Sequence, residues 1–350
     1  MPSAGTIFME NNSTAYIIFG ASGDLAKRYL LPALANMNYE GIIVPISRKD
    51  YGNLKKLIPS DGNKIFHLAI PPKGVTEAVR LISENFGKAN NIKIMLEKPF
   101  GQDLKSAQDL VEHVDQYFNE DQIYRIDHYL AKKSVQEITR TDWNKSNVQS
   151  IEIIASEKIG IEGRVNFYEQ TGALRDFVQS HLLELVAIIL MKEGEESVAE
   201  RRHTALQNLE VVCDITLHEC VKRGQYEGYR EEVGNPKSLT ETFVSINMIS
   251  NDPLWRGIPI TMATGKALQE KFTHIKIKYK NGGIKIFNIE HEPDAYEHVI
   301  EAALEDKHNL FISSGEVLES WRILDAVQES WKHSKDDLII YKKNSSINDI

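Results

Sequence analysis

Nine consecutive residues, Arg125-Ile126-Asp127-His128-Tyr129-Leu130-Ala131-Lys132-Lys133, bring together an acid, an imidazole, a phenol and two ammonium groups. That mixture suits a pocket that grips a phosphate and also orients a base. Lysine and histidine donate to phosphate oxygens, and a carboxylate can fix a histidine tautomer. A mixed-charge helix start with one incidental histidine fits the same residues, because charge runs are usually solvated faces. A second histidine, His181, stands in the run Gly172 to Leu185, which reads as a helix continuing to about Met191. Leu174, Phe177, Val178, Leu182 and Leu185 cover much of its circumference, so the polar Asp176 and His181 each need a partner or a ligand. At 3.6 residues per turn these two lie about 140° apart. The acid that orients His181 is therefore expected from another segment, and a satisfied core histidine is the competing reading.

The elements that must position these groups fall into two halves, as expected of 350 residues at roughly 150 per domain. Ala15-Tyr16-Ile17-Ile18-Phe19 is an apolar run of the kind buried in parallel sheets, followed by Gly20-Ala21-Ser22-Gly23-Asp24-Leu25-Ala26 and a helical stretch. Strand, glycine turn and helix form a pyrophosphate cradle when the glycines allow close approach and the helix start offers free N–H groups. Ser22 replaces the middle glycine of G-x-G-x-x-G, and an ordinary turn is the alternative. A second strand over 41–47 is followed by Arg48, where an acid would favour NAD and a guanidinium favours the 2′-phosphate of NADP, although Asp50 is close. Strands over 64–70 and 92–96 follow. The second ends in Glu97-Lys98-Pro99, which places Lys98 at a carboxyl strand end, where open α/β sheets bind ligands. Residues 102–120 read as a helix.

The second half reads differently. A strand over 150–156 ends at Glu157, and 240–249 and 272–279 have strand character. Asn281-Gly282-Gly283 turns the last of these into 284–287 as a hairpin. Residues 294–334 return to helix, with Trp321, Leu324, Val327 and Trp331 as core. The fold class is thus α/β plus α+β. A Rossmann-like, doubly wound parallel sheet occupies residues 12–127, and a mixed, mainly antiparallel β+α domain occupies 128–340. Residues 1–13 and 342–350 read as a mobile and a frayed tail.

A net charge of -9 argues against nucleic acid as the main partner. No run approaches the roughly 20 apolar residues of a membrane span, and no secretory signal is visible. Cys213 and Cys220 lack a metal-ligand pattern and read as reduced thiols of a cytoplasmic protein.

Several blocks coincide, in order, with one family: GASGDLA at 20–26, EKPFG at 97–101, RIDHYLAKK at 125–133, EGR at 162–164, GALRDFVQSHLL at 172–183, RGQY at 223–226, YREE at 229–232, TGKAL at 264–268 and PDAYEHVI at 293–300. On these the chain resembles glucose-6-phosphate dehydrogenase from about residue 14 to 334. RIDHYL and RDFVQSHLL are specific, whereas the glycine-rich loop and EKP also suit other sugar dehydrogenases. The resemblance implies oxidation of glucose 6-phosphate at C1 to 6-phosphoglucono-1,5-lactone with hydride transfer to NADP, the first step of the oxidative pentose phosphate pathway. It implies His181 as general base and Asp127 as the carboxylate orienting it. His128, Tyr129 and Lys132 resemble the phosphate set. Glu157, Asp176 and Lys266 resemble contacts to substrate hydroxyls or phosphate, with Lys271 a further basic contact. Lys98 resembles the residue between sugar and nicotinamide, and Gly20, Ser22, Gly23, Asp24, Leu25 and Arg48 the cofactor set.

The chain departs from the family in being shorter, between Arg48 and the Phe66 strand and again after the hairpin. That second region serves oligomerisation in the family, so homodimer or homotetramer formation stays open. Lys133 stands where an acid is usual, adding positive charge near the phosphate site. Two other readings share the pattern: a related sugar or sugar-phosphate dehydrogenase, separable by turnover of glucose against glucose 6-phosphate, and a regulator that binds NADPH or sugar phosphate without hydride transfer.

Overall fold

The computed structural model describes residues 14–141, 145–212, 221–290, 292–334 and 337–350, so the predicted N-terminal tail, Cys213 and Cys220 lie outside the described residues. The chain forms two compact units. One comprises Met1–Glu97, His113–Tyr124 and Tyr296–His308, and the other Lys98–Glu112, Arg125–Ala295 and Asn309–Ile350. The chain passes between them several times, whereas the sequence suggests one passage at 127/128.

In the first unit, β1 (Ala15–Phe19), β2 (Ile43–Ile46), β3 (Lys64–Leu68) and β4 (Ile92–Glu97) pair in parallel in the order β2-β1-β3-β4. Every residue of β1 and β3 is buried, which explains their nearly unbroken apolar sequence. The two polar exceptions in β3 are satisfied. Lys64 Nζ donates to the carbonyls of Ser60, Asp61 and Gly62, and His67 bridges Tyr16 Oη at 2.6 Å and Glu97 Oε1 at 2.8 Å. The helix Val75–Phe86 packs through Val75, Ala78, Val79 and Ile82, at i, i+3, i+4 and i+7. In β5 (Ile123–Ile126), Ile123 and Tyr124 belong to the first unit and Arg125 and Ile126 to the second.

The second unit carries β6 (Val148–Ser156), β7 (Leu209–Val211), β8 (Val221–Tyr226), β9 (Phe243–Ser250), β10 (Ile260–Gly265), β11 (Phe272–Tyr279), β12 (Ile284–Asn288), β13 (Phe311–Ile312) and β14 (Leu338–Tyr341). One sheet runs β12-β11-β6-β10-β9-β8-β14, with β7 on β9. Only β6–β10 and β8–β14 are parallel among its described pairs, so it is mixed and mainly antiparallel. The predicted hairpin is present, and Gly282 adopts φ +85° in its turn. β13 pairs antiparallel with Arg125 and Ile126.

One competing reading is set aside and three expectations are corrected. The nine-residue block is not a helix start. Arg125 and Ile126 end β5, Asp127 opens a turn, and helix begins only at Lys133 (Lys133–Arg140), where Glu292 accepts the N–H groups of Lys133 and Ser134. The run around His181 is not one α-helix. A helix Val165–Ala173 breaks at Gly172 (φ +66°, ψ +177°), π-helix covers Leu174–Leu182, and α-helix resumes over Leu183–Leu190. A side chain at Gly172 would collide with the Glu241 carboxylate, whose Oε1 accepts the Leu174 N–H at 2.9 Å and so fixes the start of the π segment. Residues 294–334 hold two helices, Ala295–Leu304 and Ser314–His333, separated by a short turn and β13. The C-terminal tail is docked. Ile347 is buried, Asn344 N donates to Ala267 O, and Tyr341 Oη reaches Lys266 O at 2.7 Å.

Candidate active site

The turn after β5 and the π segment, both in the second unit, bring Asp127 and His181 together. His181 Nδ1 lies 2.6 Å from Asp127 Oδ1 and 2.8 Å from Oδ2, and both residues are buried. Asp127 Oδ1 also accepts the Tyr129 N–H at 2.9 Å. Burial alone would raise the Asp127 pKa, but His181, as charge and as donor, holds it well below the usual carboxylate range. The imidazole is sandwiched by aromatic side chains: Tyr129 stacks on it at 4.1 Å, while Phe177 and His128 meet it edge-on at 5.1 and 4.9 Å. Its other nitrogen, Nε2, faces Lys98 Nζ at 2.6 Å. Because an ammonium only donates, Nε2 accepts, and the proton of the neutral ring sits on Nδ1 toward Asp127. Burial lowers the His181 pKa and Lys98 adds to this, against the opposing pull of Asp127, so the ring is neutral at pH 7.

The π-helix changes the reading of Asp176. Its hydrogen bonds run i to i+5, so residues 176 and 181 fall near one face where an α-helix would set them apart. Lys98 Nζ spans them, donating to Asp176 O at 3.2 Å while it meets His181, and Ser180 Oγ donates to Asp176 O at 3.0 Å. The Asp176 carboxylate has no hydrogen bond among the described residues and is half-buried. The inference that His181 takes its acid from elsewhere holds, although the 3.6-residue period behind it does not.

The cationic residues cluster beside this pair. Lys132 is buried with its Nζ 3.7 Å from the centre of the Tyr129 ring. Burial pushes its pKa down to about 8, with Lys271 contributing repulsion and Asp127 and Glu292 opposing. His128 is pushed down to about 3 by burial and by His181, so it is neutral at working pH. Tyr129 is hydrogen-bonded to Thr273, and burial raises its pKa. Lys266 and Glu157 form an ion pair, Lys266 being buried and Glu157 partly exposed. β14 supports this pair through Tyr341 on Lys266 O. The charge of Lys133 is matched by Asp294 at 2.7 Å, so it adds little to the phosphate site. Sequence reasoning passed over Phe177 as a wall of the imidazole, over Thr273 and Glu292, and over Glu184. For Glu184 the signal is visible: one acid inside Leu182-Leu183-Glu184-Leu185-Val186.

In the first unit, the predicted nucleotide loop fits a dinucleotide. Gly20 follows β1 with φ +82°, and a Cβ there would stand 2.3 Å from Ala69 O. Gly23 N donates to Gly20 O at 2.8 Å, closing the turn. Ser22, Gly23 and Asp24 are exposed, and Leu25 is half-buried. Gly20→Ala should cost about 1–3 kcal/mol of stability and raise the KM for NADP. Thermal unfolding and initial rates measure both. Arg48 is exposed and has no hydrogen bond or ion pair among the described residues. Asp50 is occupied: its Oδ2 accepts Ser47 N at 2.9 Å and Ser47 Oγ at 2.5 Å, which lowers its pKa. The guanidinium is thus the ready partner at this strand end.

The family model "Glucose-6-phosphate dehydrogenase, C-terminal domain" matches residues 131–293 and 287–348, and "Glucose-6-phosphate dehydrogenase, NAD binding domain" matches 17–49 and 46–137. The chain belongs to the glucose-6-phosphate dehydrogenase family. It is an oxidoreductase with an NADP-binding, Rossmann-like domain. It is similar to the glucose-6-phosphate 1-dehydrogenase of Chlamydia muridarum (strain MoPn / Nigg), at 28% identity over 455 residues, with 90% of each chain covered. The match is longer than the 350 residues present here, so that relative carries segments absent from this member of the family. The crystal structure of glucose-6-phosphate 1-dehydrogenase from Mycobacterium avium shares the fold, with TM-score 0.82, 23% identity and 95% and 94% of the two chains covered. So does a glucose-6-phosphate dehydrogenase in complex with its substrate glucose 6-phosphate, with TM-score 0.81, 23% identity and 95% of each chain covered. No helix among the described residues is long and apolar enough to cross a membrane.

Proposed function

We propose that this chain oxidises glucose 6-phosphate at C1, with His181 as general base and Asp127 as its orienting carboxylate. The observation that carries the reading is the imidazole itself: Nδ1 is held by Asp127, and Nε2 is presented as an acceptor beside Lys98. The C1 hydroxyl takes the place of the Lys98 ammonium at Nε2, and its proton passes to that nitrogen. Gly20, Ser22, Gly23, Asp24, Leu25 and Arg48 would hold NADP, which would supply the hydride acceptor as the C1–O bond becomes the carbonyl of 6-phosphoglucono-1,5-lactone. Asp127, anionic and fixed by the Tyr129 N–H, stabilises the imidazolium that results. Lys132, His128, Tyr129 and Lys271 receive the 6-phosphate, a remote anchor that sets C1 against Nε2. Asp176, Glu157 and Lys266 contact substrate hydroxyls or the phosphate, and Lys98 lies between the sugar and the nicotinamide. In this reading the unit that carries β1–β4 holds the cofactor and the unit that carries Asp127 and His181 holds the substrate, and the reaction belongs in the cytoplasm.

A steady-state assay crossing NADP and NAD with glucose 6-phosphate and glucose tests the reading. Turnover should depend on the phosphate, and equal kcat/KM for both sugars would contradict the phosphate set. Arg48→Ala should raise the KM for NADP by roughly five- to twentyfold and leave that for NAD nearly unchanged. An equal loss for both cofactors removes the assignment of Arg48 to the 2′-phosphate.

A further inference from the structure

Behind the acid–base pair lies a carboxyl group that this mechanism leaves unused. Glu184 sits in the apolar helix Leu183–Leu190, 2% exposed, and its Oε2 has no hydrogen-bond partner among the described residues. Arg202 Nε is 3.9 Å from that oxygen, within ion-pair range but too far for a hydrogen bond. Arg202 is already engaged. Its Nε donates to Glu316 Oε1 at 2.5 Å, and its terminal nitrogens donate to Asn309 O at 2.8 Å and Phe311 O at 2.6 Å. Glu184, Arg202 and Glu316 are all buried, so one guanidinium stands against two carboxyl groups. One positive charge neutralises one carboxylate, and the second is driven to keep its proton. Burial, then repulsion from Glu316, raise the Glu184 pKa, with Arg202 opposing and Asp127 adding further repulsion.

Glu184 and Asp127 line one small cavity, together with Lys98, Gln179, Ser180 and Ser320. About 10 Å³ of it is open to the centre of a water molecule, room for roughly one. Among the described residues, the charged groups that act on Glu184 or share its cavity are Arg202, Glu316, Asp127 and Lys98.

We propose that Glu184 is a neutral positioning residue: its carboxylic O–H, relayed by one water in the shared cavity, donates toward Asp127 and keeps that carboxylate anionic and aimed at His181 Nδ1. The proposal rests on the reading of Asp127 and His181 as the acid–base pair. A donor behind Asp127 lowers the basicity of its carboxylate, so the proton taken up by His181 stays on the imidazole.

Glu184→Gln and Glu184→Leu in the full chain test this, read by the pH profile of kcat/KM with glucose 6-phosphate and NADP. The amide of Glu184→Gln is neutral and still a donor. Its kcat should stay within about twofold of wild type and its acid limb within roughly 0.3 pH units, whereas the infrared carbonyl band of a protonated, buried carboxylic acid disappears. Glu184→Leu fills similar space without a donor. Its kcat should fall roughly five- to tenfold with KM nearly unchanged, and its acid limb should move to higher pH as Asp127 becomes more basic. The proposal fails if Glu184→Gln moves the acid limb down by about 0.5 unit or more, as loss of a buried anion near His181 requires. It fails equally if Glu184→Leu is folded and indistinguishable from wild type, or if wild type lacks the band. Absence of wild-type turnover would instead sink the catalytic reading, and the infrared band would still report the protonation of Glu184.

Discussion

His181→Asn should lower kcat by roughly 10²–10⁴-fold, the range over which a positioned general base accelerates proton transfer. The asparagine amide can still donate to Asp127, so the buried carboxylate keeps a partner and the loss is chemical. It offers no basic nitrogen where Nε2 now faces Lys98, 2.6 Å away. KM for glucose 6-phosphate should change by no more than about threefold, because the phosphate anchor is untouched. A kcat equal to wild type in folded protein would end the assignment. The wild-type acid limb carries the same signature. Only the neutral ring accepts the proton, and burial disfavours the charged form, so the limb should lie below the ordinary imidazole value of 6.5. Activity is then retained as pH falls past that value and lost only lower down.

Lys132→Ala should raise the KM for glucose 6-phosphate by roughly 10–100-fold and leave turnover of unphosphorylated glucose, however slow, almost unchanged. The size follows from about 1.5–3 kcal/mol for a hydrogen bond to a charged group, at about 1.4 kcal/mol per tenfold. Lys132 is buried, so solvent screens this interaction weakly. The pH dependence is a second check. Burial is the largest influence on this ammonium and pushes its pKa down to about 8. The charged form binds the dianion, whose own second pKa is about 6, so wild-type KM should be steady from about pH 7 to 8 and climb as pH rises through the upper value. In Lys132→Ala the KM should be high and flat across the same range. A climb of equal size in both proteins would assign the titration to another group.

Arg202 shows how buried charge in this protein resists reading from its immediate sequence. It sits in Ala199-Glu200-Arg201-Arg202-His203, which looks like a solvated helix face, yet Arg202 is 1% exposed and held by Glu316, 114 positions away. A charge so placed is set by tertiary pairing, which local composition cannot report. The C-terminal tail makes the same point. Its polar residues suggest fraying, but Ile347 packs into a core with Tyr168, Tyr226, Tyr229, Phe243 and Tyr341 of β14, and Asn344 N donates to Ala267 O, next to Lys266.

The sequence by itself determined much of the frame. An unbroken apolar run marked β1 and mostly apolar runs marked β3 and β4, because strands buried on both faces tolerate few polar residues. Alternation and Asn281-Gly282-Gly283 marked the β11–β12 hairpin, because a tight turn demands positive φ. Residue types picked out Asp127, His128, Lys132 and His181, since few side chains exchange protons or bind phosphate near neutral pH. Tertiary structure alone decided the rest. β8 holds Lys222, Arg223, Gly224 and Gln225, and β10 ends in Ala263, Thr264 and Gly265 without an apolar run of its own, so their pairing partners, rather than their own pattern, make them strands. The π-helix that aligns residues 176 and 181 depends on the break at Gly172 and on Glu241, 67 positions beyond Leu174. The protonation states of His181, Lys132 and Glu184 depend on burial and on charges brought from distant segments, and neither exists until the chain has folded.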